Sequence, residues 1–71
     1  MDTRTIEGIK YNIVETWTPA DHEAANRPNY AQHLREQGIT KEIMIQRPKG
    51  KHVFAIYQFE SGRETRLRKV F

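Results

Sequence analysis

Val53-Phe54-Ala55-Ile56-Tyr57 is apolar in both phases of a strand, so any sheet that contains this run has to be covered on both faces. That is a demanding requirement for a chain of 71 residues, because a domain of this size buries only about 60% of the surface its unfolded chain exposes. Cover is in short supply. The segment with helical character offers only Tyr30 and Leu34 as large apolar side chains, helped by Ala20, Ala24, Ala25 and Ala31, whereas the strand-like segments hold most of the bulk. One thin helical layer covers one face of a sheet. The chain has no cysteine, so neither a disulfide nor a thiolate-bound metal adds stability. In a monomer some of Met44, Phe54, Ile56 and Val70, or their odd-numbered counterparts, would be left toward water, and two or three such side chains forgo about 1.5 to 3 kcal/mol each. The sequence therefore predicts a homodimer that uses sheet surface or an edge strand as its interface.

Ile9, Tyr11 and Ile13 alternate with Lys10 and Asn12, and the odd-numbered phase runs on to Trp17, which predicts a strand. Gly8 marks a bend before it, and a shorter extended piece around Thr5 and Ile6 either pairs with this strand or leads into it. Thr18-Pro19-Ala20-Asp21 has the residue types of a helix start, with a hydroxyl cap, proline in the first turn and an acid placed to bond back. Pro28 cannot sit inside a helix without losing a hydrogen bond. The helical stretch is therefore read as a short helix to about Asn26 and a restart at Pro28 that runs to Gln37, with Gly38 as its stop.

Strands are predicted over 40–47, 51–59 and 64–71, joined by turns at Pro48-Lys49-Gly50 and Glu60-Ser61-Gly62. The reading is a single α+β domain spanning 1–71, in the order β-α-β-β-β, with a kinked or broken helix and a three-stranded antiparallel meander. A three-residue first loop pairs Ile45 with Val53 and Ile43 with Ala55. A two-residue loop pairs Ile45 with Phe54 and Ile43 with Ile56, and the one-residue slip exchanges the faces.

Charge is unevenly placed. Residues 1–39 hold four cations and six acids, and residues 40–71 hold eight cations and three acids, so the net charge of +3 comes from the C-terminal half. Lys49, Lys51, Arg63, Arg66, Arg68 and Lys69 are candidates for one cationic surface, because guanidinium and ammonium groups along a strand suit a phosphate backbone. Phe54 is the candidate to stack on an unpaired base, with Tyr57 and His52 nearby. The expectation is a small non-enzymatic domain that binds nucleic acid without strong sequence preference. The alternative is a homo-oligomeric interaction or regulatory module that docks an acidic protein partner. The plainer reading of the same cations is an edge strand protected from aggregation by its charges.

Other chemistries find little support. Lys49-Gly50-Lys51-His52-Val53-Phe54-Ala55-Ile56 meets the RNA-recognition-motif signature only at its opening Lys-Gly, which excludes that family. His22, His33 and His52 lack metal-ligand spacing and read as surface residues, with His22 in a helix first turn. Ser61, the sole serine, falls in a hairpin tip, and the four glycines are all explained by turns or caps, so neither a nucleophile nor a phosphate loop is marked. The expectation is therefore no catalytic residue, no cofactor and no metal. Trp17 is expected to seal the core where strand meets helix, with its indole N–H on a carbonyl or water. The longest apolar runs fall short of the roughly 18 residues of a membrane span, and the first residues lack the apolar stretch of a signal peptide, so a cytoplasmic location without a membrane partner is expected.

Overall fold

The computed structural model describes residues 2–50 and 53–65, together with the backbone of 68–69. The elements follow in the order β1 (Thr3–Ile6), β2 (Ile9–Trp17), α1 (Pro19–Ala24), α2 (Pro28–Glu36), β3 (Ile39–Gln46), β4 (Val53–Phe59) and β5 (Arg68–Lys69). The class is α+β, as the composition of the segments implies. All the strands join one antiparallel sheet in sequence order, β1-β2-β3-β4-β5, which is larger than the three-stranded meander expected. Two strands extend the meander, β2 beside β3 and β1 folded back on β2 at Glu7-Gly8, where φ is +51° and +81°. Two successive positive φ values make the tight turn whose twist suits a hairpin. The piece at Thr5–Ile6 therefore folds back on β2, pairing Ile6 with Ile9.

Helix punctuation follows the sequence closely. Thr18 caps α1 by accepting from the Asp21 N–H at 3.2 Å, while the Thr18 N–H donates to the Asp21 carboxylate at 2.8 Å. These bonds, the backbone one foremost, hold the Asp21 carboxyl below its ordinary pKa. Asn26, at φ +65°, turns the chain out of α1, and Pro28 opens α2 in the first turn, where its missing N–H costs nothing.

The ladder register decides which side chains share a face. Ile45 lies opposite both Ile13 and Phe54, and Ile43 lies opposite Ile56, so the two-residue-loop register is the one adopted. These side chains point to one face with Tyr11, and the buried Tyr11, Ile43, Ile45 and Ile56 form a cluster against which Ile6, Ile13 and Phe54 pack. The helices lie on the other face, where Pro19, Ala31, Leu34 and Ile39 are buried.

A bulge at Val14 separates the two faces along β2. Pairing shifts between Ile13 and Glu15, so Trp17 comes to face the helices and not the side of Ile13. The unbroken odd phase read from the sequence therefore stops at Ile13, and the extra residue, Val14, is left 50% exposed.

The sheet curls far enough for one side-chain bond to cross its inner face. Arg4 projects from the inner face of β1 and bonds Glu64 at 2.5 Å, although Glu64 sits beyond β4 and next to the opposite edge. A cleft of about 540 Å³ between these edges is lined by Arg4, Ile6, Ile56 and Thr65 among others. The twist of antiparallel strands coils a sheet in this way, and side chains on the concave face then pack on one another. The curl gives part of the face that the sequence reading assigned to a second copy a cover within the chain. Ile56 is buried within the single chain, and Phe54 and Met44 are half-buried. Val70 lies outside the described residues. Counting faces on a flat sheet missed the curl.

Candidate functional site

The predicted cationic surface is divided by the length of β4. That strand has seven residues, so its ends lie roughly 20 Å apart at about 3.3 Å per residue. Lys49 is exposed at the tip of the β3–β4 connection, beside the Val53 end. The backbone of β5 reaches the same end, with Lys69 opposite Phe54 and Arg68 opposite Ala55. Arg63 lies past the other end, its guanidinium 4.9 Å over the Phe59 ring. Lys51 and Arg66 are outside the described residues. Phe54 is half-buried, packs against the inner cluster and has the β5 position Lys69 opposite it.

Register brings two cations to the Lys49 end that the sequence did not assign there. Asn12 pairs with Gln46, which places Lys10 and Arg47 just beyond, both exposed. Among the described residues, Lys10, Arg47 and Lys49 take part in no ion pair, while Glu7 occupies the nearby β1–β2 turn.

At the opposite end lies a polar cluster that sequence reasoning missed. Glu42, on the helix-facing side of β3, is 6% exposed. His22, from α1, is 4% exposed and places Nε2 2.6 Å from Glu42 Oε1. Tyr30, from the first turn of α2, donates its hydroxyl to Glu42 Oε2 at 2.7 Å. Burial first, then the Glu42 bond and the neighbouring Tyr57, raise the Tyr30 hydroxyl well above its ordinary pKa. A carboxylate only accepts, so Nε2 of His22 carries the hydrogen between them. His22 Nδ1 is buried and has no hydrogen-bond partner among the described residues.

Aromatic rings frame this cluster. Trp17 stacks on His22 with centroids 5.0 Å apart, and Tyr30 meets the same imidazole edge-on at 4.7 Å. The Arg27 guanidinium lies 4.9 Å over the Trp17 ring, and the indole N–H donates to Glu15 at 2.8 Å. Trp17 thus seals the strand-to-helix junction as expected, but its N–H partner is a carboxylate. Together with Met44 these groups line an open cleft of about 470 Å³. Its lining has no hydroxyl or thiol apart from the Tyr30 hydroxyl, which Glu42 engages.

The sequence signal for this site was weak. Asp21 and Glu23 flank His22 and make it look solvated. Glu42 beside the run Ile43-Met44-Ile45 is the clue, since a carboxylate next to residues apolar in both phases calls for a buried partner. No family model, curated protein or solved structure matches this chain. Among the described residues no helix is long and apolar enough to cross a membrane.

Proposed function

We propose that this chain is a small non-enzymatic binding domain that holds nucleic acid by its phosphates, using the basic end of its sheet. The observation that carries this reading is the gathering of Lys10, Arg47 and Lys49 at one end, joined by the β5 positions Arg68 and Lys69. Asp21, Glu23 and Glu36 are exposed on the helical segment, and Glu60 follows the far end of β4. A field graded from one end to the other orients a polyanion before contact. With Phe54 turned inward, the contacts are to phosphate and not to base edges, which gives affinity with little sequence preference.

Fluorescence polarisation with labelled oligonucleotides tests this. Three phosphate contacts give a slope of log affinity against log salt of about −2.1 to −2.7, so a fourfold rise in salt costs roughly 20- to 40-fold in binding. Replacing both Arg47 and Lys49 with alanine is expected to flatten that slope by about 2. No binding at low salt, or a double variant that binds with the original slope, contradicts the reading. Binding to an acidic protein that survives high salt would favour the interaction-module alternative.

A further inference from the structure

We infer that the Trp17 cleft receives an arginine side chain from a partner polypeptide, which displaces Arg27 from the indole ring. The inference is independent of the nucleic-acid reading, since the cleft lies at the other end of the molecule. Arg27 itself supplies the first reason: its guanidinium at 4.9 Å from the Trp17 centroid shows that this ring accepts such a group. Charge supplies the second. The exposed Glu15 lines the cleft beside the Trp17 ring, so a guanidinium that takes the place of Arg27 has a carboxylate within the same cleft.

Retention supplies the third. Arg27 is weakly retained. It is the exposed N-cap residue of α2, makes no side-chain capping bond, and has no ion pair among the described residues. An external guanidinium with a carboxylate for company therefore competes well with it.

Trp17 is the only tryptophan, so indole fluorescence reports on this site alone. The experiment titrates the protein with an acetylated and amidated Gly-Arg-Gly tripeptide, and with the same peptide carrying citrulline, which keeps the shape and loses the charge. A saturable change with the arginine peptide is expected, several-fold tighter in Arg27→Ala, where the tethered competitor is gone. Weakening by a similar factor is expected in Glu15→Gln, a change at an exposed residue that leaves the buried cluster intact. An equal response to the citrulline or a lysine peptide, or no saturable change in Arg27→Ala, overturns the inference.

Discussion

Replacing Glu42 with alanine will destabilise the protein by about 2 to 6 kcal/mol, at about 1 to 3 kcal/mol for each buried hydrogen-bonding group left without a partner. Two partners are stranded at once: the buried His22 imidazole loses its acceptor at 2.6 Å, and the Tyr30 hydroxyl loses its acceptor at 2.7 Å. Small domains have only about 5 to 15 kcal/mol in total, so the variant will sit at the edge of folding. Glu42→Gln should cost much less, because its amide oxygen still accepts one of the two bonds. Urea titrations of the three proteins measure this. A loss below about 1 kcal/mol in the alanine variant would mean that the cluster is already open to water.

The second large effect concerns the inner face of the curl. Ile45 is 0% exposed and lies between Ile13 and Phe54 on its two neighbouring strands. Ile45→Ala will cost about 2 to 5 kcal/mol through lost burial and the cavity left behind. Ile9, on the same sheet but 40% exposed at the β1–β2 turn, provides the contrast. Ile9→Ala should stay within about 0.5 kcal/mol of the parent. Similar losses at both positions would mean that the inner face is not closed in the way described.

Local chemistry made much of this fold legible. The Thr18–Asp21 capping box, the restart at Pro28 and the stop before Gly38, at φ +74°, all follow from residue types acting within a few positions. The double-phase run in β4 also kept its meaning: Phe54 and Ile56 face the interior of the curl, while Ala55 and Tyr57 face the helix side. What escaped was set by distant partners. The bulge at Val14 leaves no mark in the alternation of Ile9, Tyr11 and Ile13, yet it moves Trp17 to the other face. Nothing near Arg4 announces a partner sixty residues away, so the curl that brings it to Glu64 was invisible. His22 was misread for the same reason, since its environment is made by Glu42 and Tyr30 rather than by its neighbours in the chain.

Both proposed surfaces, the basic end and the Trp17 cleft, depend on a chain that seals its own sheet and leaves those regions free. Thermal or urea unfolding followed across a hundredfold range of protein concentration tests that dependence directly, because stability borrowed from a second copy must rise with concentration. The midpoint is expected to stay fixed. A midpoint that climbs steadily with concentration would show that another molecule completes the apolar interior, and would contradict the account of an inner face covered within one chain.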